Sequence, residues 1–500
     1  MKVLLFNAPI YFNSWQNTEA PLGVAYIAAL LKRNGHEVRI KDFDAERFSK
    51  SAVFDLVDEF RPDLAGISFR TPSFASAKTI CSILKERQAS LPVVLGGPHA
   101  TAFPRETLCS FEADMVVRGE GELATVEILE ALNEKRSLGA INGLTYKAGG
   151  EIYNNEDRQL LNEEMINLLP WPARELLPTE RYNIEVVLSS RGCPYACVYC
   201  DKIISSRNVK YRSPEDVAAE IIFIMEKYKK SAFYFIDEHF LANKQRAEHI
   251  LDLLLKARRD TGIRFKWTCQ TRVDAIDERI LRKAKEAGCY EVHYGLETGD
   301  ETELAFINKR TTLKQAEDAV RIAKKCGIRI RGNFMIGFPI STHQTIRNSI
   351  CFAKRLPVDR YRFFIVSPLP NTKMWDYIVE HNQLAEDFDW NNVHFLAPSL
   401  KIPGLSKDDI VTYIGVAYLH TVKDGFIKEI FSPSMPFKLL RVIFLIIKTK
   451  KLRGDKFSVY FPKATNLLLE IWLLIQGYPI SKKIKFIYNI IKIERLLHKI

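Results

Sequence analysis

At 500 residues the chain is long enough for two or three domains, each with its own core. Its 47% hydrophobic and 26% charged content belongs to a globular protein and excludes a disordered or fibrous one. The net charge is +12, but residues 431–500 hold 14 Lys/Arg against 3 Asp/Glu and carry +11 of it, so no nucleic-acid surface is expected over the rest of the chain.

Met1 to Pro9 is too short an apolar run for a secretory signal and reads as a strand, so a cytoplasmic protein is expected. Nine cysteines, six of them scattered, do not form a disulfide framework and suit a reducing compartment. Cys81, Cys109, Cys269, Cys289, Cys326 and Cys351 show no ligand spacing and read as small packed residues.

Residues 1–142 form the first expected domain. Apolar, β-branched runs at 3–6, 37–40, 64–69 and 93–95 alternate with helical periodicity at 22–34, 51–60, 73–88 and 122–133. This predicts a parallel sheet with helices on both faces and ligands at the carboxyl ends of its strands. Those ends carry Asn7-Ala8-Pro9, Arg70-Thr71-Pro72-Ser73, Gly96-Gly97-Pro98-His99-Ala100 and Arg118-Gly119-Glu120-Gly121-Glu122, and Ala20-Pro21-Leu22-Gly23 opens the first helix. Small residues in such turns let backbone approach a large planar ligand. No G-x-G-x-x-G follows the first strand, which weakens a dinucleotide site, although a nucleotide-binding Rossmann-like module stays open. Residues 143–184 read as a connector, with a hairpin pattern from Gly143 to Tyr153 and then Leu169-Pro170-Trp171-Pro172.

A second alternation fills 185–395. Strands are predicted at 185–189, 232–237, 264–271, 290–296, 328–336 and 361–366, and helices at 214–229, 243–258, 276–287, 313–326 and 341–356. Six βα units suggest a partial (β/α)6 barrel with its chemistry at the carboxyl-end mouth. The first strand leads into Arg191-Gly192-Cys193-Pro194-Tyr195-Ala196-Cys197-Val198-Tyr199-Cys200. Three thiols spaced C-x-x-x-C-x-x-C on one loop suit an iron–sulfur cube, whereas a closed zinc site wants a fourth Cys or His. Three other strand ends are polar beyond what packing requires, Asp237-Glu238, Gln270-Thr271-Arg272 and Glu297-Thr298, and a further one ends in the run Ile336-Gly337.

The cysteine motif, with an aromatic residue before its last thiol, resembles that of the radical S-adenosylmethionine (SAM) enzymes. The N-terminal turns resemble the cobalamin-binding domain that precedes the radical domain in one large subfamily. The resemblance spans about residues 1–370 and implies a Rossmann-like cobalamin-binding domain, a radical SAM barrel and a helical C-terminal extension over 396–500. It implies Cys193, Cys197 and Cys200 as ligands of a 4Fe–4S cluster with one iron left for SAM. It places Asp237 and Glu238 near the SAM amino group, Arg272 on its carboxylate and Glu297 near its ribose, with Tyr199 and the Ile336-Gly337 backbone beside the adenine. For Arg272 the alternative is a surface pair with Asp274 or Asp277. Around cobalamin it places Asn7, Pro21, Gly23, Thr71, Ser73, Gly96, Gly97, His99, Gly119 and Glu120. The D-x-H-x-x-G motif that supplies a lower axial histidine elsewhere is absent, so His99 either touches the corrin or bonds within its turn. Strand six ends Ser367-Pro368-Leu369-Pro370-Asn371-Thr372, with Asn371 where relatives carry Gly.

The implied activity is methylation of an unactivated carbon in a small or lipid-like metabolite, with electrons from a flavodoxin or ferredoxin. A radical cyclase of the anaerobic magnesium-protoporphyrin monomethyl ester type is the second expectation, and a cobalamin or redox sensor the non-catalytic one. In the C-terminal region the apolar runs 439–447 and 467–475 are too short to span a membrane. The last segment, with Lys482, Lys485, Lys492 and Arg495 among apolar residues, is a basic amphipathic helix that either caps the barrel or lies on an anionic membrane.

Overall fold

The first five strands are short: β1 (Lys2–Asn7), β2 (Glu37–Asp42), β3 (Leu64–Ser68), β4 (Val93–Gly96) and β5 (Met115–Val117), all largely buried except β2, which alternates exposed and buried residues. In the computed structural model, which describes residues 1–10, 19–201, 207–393, 395 and 397–421, they pair in parallel in the order β2-β1-β3-β4-β5. The chain moves to opposite sides of β1 on leaving it, so a crevice opens at the carboxyl ends of β1 and β3. At three residues, β5 is too short for periodicity to reveal, and it is absent from the predicted strands. The hairpin predicted in the connector forms as β6 (Leu144–Ala148) and β7 (Glu151–Asn154) and pairs antiparallel with β5. It therefore completes the edge of the first sheet.

The second sheet is wholly parallel. It runs β15-β14-β13-β12-β11-β8, with β8 (Glu185–Val187), β11 (Ala232–Phe235), β12 (Lys266–Thr271), β13 (Cys289–Glu297), β14 (Arg329–Ile336) and β15 (Arg360–Ile365). A two-residue ribbon, β9 (Ser190–Arg191) with β10 (Lys210–Tyr211), starts the cysteine loop. Alternation along the strands sorts the residues: Tyr294, Phe334 and Phe363 join the apolar layer under the helices, while Glu291, His293, Arg331 and Arg362 take the opposite, lumen face. Helix starts are set locally, as at Ser213, whose hydroxyl accepts from Asp216 N at 3.1 Å with Pro214 in the first turn.

The two sheets share one apolar cluster, in which Leu188, Tyr234 and Ile236 of the barrel pack against N-terminal core residues. Buried charge fastens the same junction. Arg174 of the connector donates to Glu220 at 2.6 Å, and Arg212 reaches Glu220 and, at 3.2 Å, the Tyr26 hydroxyl. The helix Lys407–Thr421 closes over the last strands, where Phe363 N donates to Tyr418 Oη at 3.1 Å and Tyr413 bonds His343 at 2.9 Å. Among the described residues no helix is long and apolar enough to cross a membrane. The basic segment 431–500 lies outside the described residues.

Candidate functional site

A cavity of ≈ 460 Å³ opens at the carboxyl edge of the first sheet. Its walls are Gly23, Gly66, Gly96, Gly97, Gly119 and Gly121 with apolar neighbours such as Leu5, Ile27 and Val94, and it extends to Arg191, Asp201, Ile236 and Glu238 of the barrel. At Gly23 and Gly96 a Cβ would meet nothing within 4 Å, so each adds space to the cavity. At Gly97 (φ +102) it would lie 2.2 Å from the Phe69 carbonyl oxygen, so only glycine lets the β4 turn pass that close. A large, mostly apolar, two-sided cradle of this kind fits cobalamin.

Of the residues expected around that cofactor, Gly23, Gly96, Gly97, Gly119 and Glu120 line the cavity. His99 does not. It is 2% exposed, bonds Thr71 Oγ1 at 3.1 Å through Nδ1, and sits among Phe69, Phe74, Phe103 and Trp390 with ring centroids 4.8–5.9 Å away. Burial pushes its imidazole down to about 4, so it is a neutral strut joining the β4 turn to the segment after the barrel. Thr71 and Ser73 are buried outside the lining, Pro21 leads into the first helix, and Asn7 Nδ2 donates to Asp42 at 2.8 Å.

The cysteine loop leaves β9 through Gly192 (φ +106), whose N–H donates to Glu238 at 3.3 Å. Three backbone-directed bonds hold it down: Val198 N to Ile307 O at 3.0 Å, Asn308 Nδ2 to Ala196 O at 3.0 Å and Met374 N to Val198 O at 3.0 Å. None of the nine cysteines forms a disulfide. Among the described residues no three ligand side chains surround a single metal ion. A cube asks for something else, because each thiolate takes its own iron. Three partly buried thiols on an anchored loop fit that need.

Arg272 is fastened beside them. It forms a two-pronged pair with Asp274 at 2.8 and 2.9 Å, lies 3.5 Å from the Tyr195 ring centroid, donates to Lys309 O at 2.6 Å, and directs Nη1 to Cys197 Sγ at 3.8 Å. The Asp274 pair expected from sequence is present, but its side chains are 8% and 17% exposed rather than at the surface. A buried guanidinium donating to a thiolate stabilises negative charge on that sulfur.

Glu297 ends β13 in the left-handed region (φ +62), which a glutamate rarely adopts, at a register shift against β14. Its Oε1 accepts from Tyr199 Oη at 2.9 Å and from Lys309 Nζ at 2.5 Å. Gly295 makes room: a Cβ there would lie 2.2 Å from that oxygen. Gly337 is also left-handed (φ +89) and packs beneath Ile402 and Ile410, and Ile336 is buried. Glu238 lines the cavity. Asp237 does not line it. It is fully buried, accepting from Ser189 N at 3.1 Å, Ser189 Oγ at 2.7 Å and the Ser190 hydroxyl, so it props the strand before the cysteines.

Two residues escaped the sequence reading. Lys309 sits in a loop with no motif. Arg191, just before the cysteines, donates to Glu120 at 2.6 Å and Glu122 at 2.7 Å and lies over the Tyr26 ring. The acidic Glu120-Gly121-Glu122 turn was the available signal, since two buried carboxylates require a cation.

Family models agree with this division: the B12 binding domain matches residues 9–129 and the radical SAM superfamily residues 187–353. The chain is 34% identical over 409 residues to an uncharacterized methyltransferase of Pyrococcus horikoshii, covering 80% of this chain and 87% of that protein. It is 26% identical over 405 residues to the anaerobic magnesium-protoporphyrin IX monomethyl ester cyclase of Rubrivivax gelatinosus, covering 78% and 71%. In fold it is similar to the cobalamin-dependent SAM radical enzyme OxsB, with a TM-score of 0.70 at 18% identity, covering 100% of this chain and 81% of that one. It is likewise similar to the radical SAM methyltransferase TsrM of Kitasatospora setae, with a TM-score of 0.67 at 19% identity, covering 78% and 79%. With a glycine-walled cavity that reaches Arg191 and Asp201 on either side of an anchored three-cysteine loop, and a relative at 34% identity across both sheets, the chain belongs to the cobalamin-binding radical SAM enzymes.

Proposed function

We propose that the protein is a cobalamin-dependent radical SAM methyltransferase acting on an unactivated carbon of a small-molecule or lipid-like substrate. The observation that carries this reading is the cavity reaching from the glycine turns to Arg191 and Glu238, which brings a glycine-walled space to the edge of the cysteine loop. When bound, the cluster and cobalamin supply reductive cleavage of SAM and methyl transfer.

The chain's own part is binding, orientation and exclusion of water. Cys193, Cys197 and Cys200 would hold three irons. The Tyr199–Glu297–Lys309 group sets a polar edge beside them, Glu238 adds an acceptor for an ammonium, and Gly337 lets β14 end close against Ile402 and Ile410. Arg272, engaged by Asp274, Tyr195 and Cys197, acts on the cluster ligand rather than on a SAM carboxylate.

Anaerobically reconstituted protein with cobalamin, SAM, reductant and substrate is expected to release both 5′-deoxyadenosine and S-adenosylhomocysteine. Release of 5′-deoxyadenosine alone would favour the radical cyclase reading, which the similarity to the magnesium-protoporphyrin ester cyclase supports. A cytoplasmic location and a flavodoxin or ferredoxin as electron donor belong to the same proposal. Docking of residues 431–500 on anionic lipid is tested by pelleting with vesicles, with and without that segment, equal recovery rejecting it.

A further inference from the structure

The lumen of the barrel carries more positive charge than it neutralises. Register places His293 beside Arg331, Arg331 beside Arg360, and Asn333 beside Arg362, all on the face turned away from the helices. Glu291, fully buried at the floor, is the carboxylate of this layer. It accepts from His293 at 3.2 Å and meets Arg331 at 3.1 Å, Arg360 at 3.9 Å and Arg329 at 4.0 Å. Burial alone would raise its pKa, but the His293 bond and the charges of Arg331 and Arg360 hold it down at about 2. Glu291 is thus already committed as an anion to the floor.

One step nearer the mouth the balance fails. Arg362 has no hydrogen bond or ion pair among the described residues. Arg331 has its pKa lowered by burial and then by the charge of Arg362, the mark of two like charges facing one space. The Asn333 Oδ1 beside them is buried without a partner, and an amide turned over would present its NH2 there instead. Among the described residues of the N-terminal domain, Glu19 interacts electrostatically with Arg362 and Arg331 of this layer and with Arg70 of its own domain. Desolvation pushes the Glu19 carboxyl up while Arg70, Arg362 and Arg331 pull it down. Above this layer, towards the cysteine loop, the same face becomes apolar with Met335 and Phe364.

We infer that the lumen binds the anionic end of the substrate, a carboxylate or a phosphate-type group, between Arg362 and Arg331 with Asn333 as the neutral donor, while an apolar stretch of the same molecule lies against Met335 and Phe364. Successive lumen layers are about 7 Å apart along a strand, so a few carbon–carbon bonds separate the anion from the carbon presented towards the cluster. Arg362 is exposed and Arg331 partly buried, and a guanidinium without a hydrogen bond or ion pair gains a charge-assisted bond from such a group and a weaker one from a neutral head. This substrate class rests on the radical SAM reading of the site.

The test uses the reconstituted holoenzyme and three probes of equal chain length, hexanoate, hexyl phosphate and 1-hexanol, with binding followed by calorimetry. At least one anionic probe is expected to bind about tenfold or more tightly than 1-hexanol, which identifies carboxylate or phosphate as the preferred head, and that preference should weaken with salt. Arg362→Met should abolish the preference and Arg362→Lys should restore most of it, with cluster absorbance as the check that each variant is folded. Equal affinity for all three probes, no binding of any, or a preference unchanged in Arg362→Met overturns the inference. SAM cleavage is assayed in the same samples: cleavage without anion preference sinks this inference alone, and anion preference without cleavage sinks the radical SAM reading alone.

Discussion

A mixed sheet and a wholly parallel one meet at one cavity, and they build their halves of it by opposite means. The N-terminal sheet does so by omission: Gly23, Gly96, Gly97 and Gly119 leave space, and the nearest imidazole, His99, is turned into an aromatic box. The barrel does so with charge, nearly every piece of it held: Arg191, which lines the cavity, by two glutamates of the other sheet, and beyond the cavity Arg272 by Asp274, Lys309 by Glu297 and Arg331 by Glu291. A cradle for a large preformed cofactor needs volume. A mouth that handles a cluster and a charged cosubstrate needs fixed electrostatics.

That contrast breaks first at the thiols. Cys197→Ala is expected to remove the cluster absorbance and all SAM cleavage while cobalamin binding persists; a full 4Fe–4S spectrum in the variant would refute the assignment. Next comes the clasp between the halves. Arg191→Met leaves Glu120 and Glu122 buried without a cation and should cost about 3 kcal/mol in urea unfolding.

The His99 box should give a pH signature of similar or smaller size. The unfolded chain's histidine takes a proton near pH 6.5 but the folded one only near 4, so stability is full above about pH 6.5 and falls as pH drops towards 4, by about 3 kcal/mol at the limit. His99→Phe should flatten that part of the acid limb, which unfolding at a series of pH values reads directly. The smallest effect on folding sharpens the contrast most. Gly23→Leu, on a helix with open space at its Cβ, should stabilise the apo-protein by about 1 kcal/mol or less while weakening hydroxocobalamin binding at least tenfold, measured by spectroscopic titration.

Both strand–helix alternations were legible because burial on two faces writes continuous apolar runs, and the cysteine loop was legible because its ligands are local in sequence. Asp237 and Glu238 show where that legibility stops. They are adjacent just beyond β11, yet one is consumed by Ser189 and Ser190 and the other lines the cavity, because past Phe235 the loop, not strand alternation, sets where each side chain points. The predicted surface pair of Arg272 is a buried one over Tyr195, since residues 195 and 272 meet only when the loop folds back across the mouth.

The sequence by itself determined the two sheets, the motif that holds a cluster and the small-residue turns, all of which follow from periodicity and short spacings. Only the tertiary structure decided that His99 faces Trp390 rather than the cavity, that Arg191 bridges the domains and that Arg362 has no hydrogen bond or ion pair among the described residues. Those outcomes depend on which distant groups come within a few ångströms, and a one-dimensional pattern does not encode such distances.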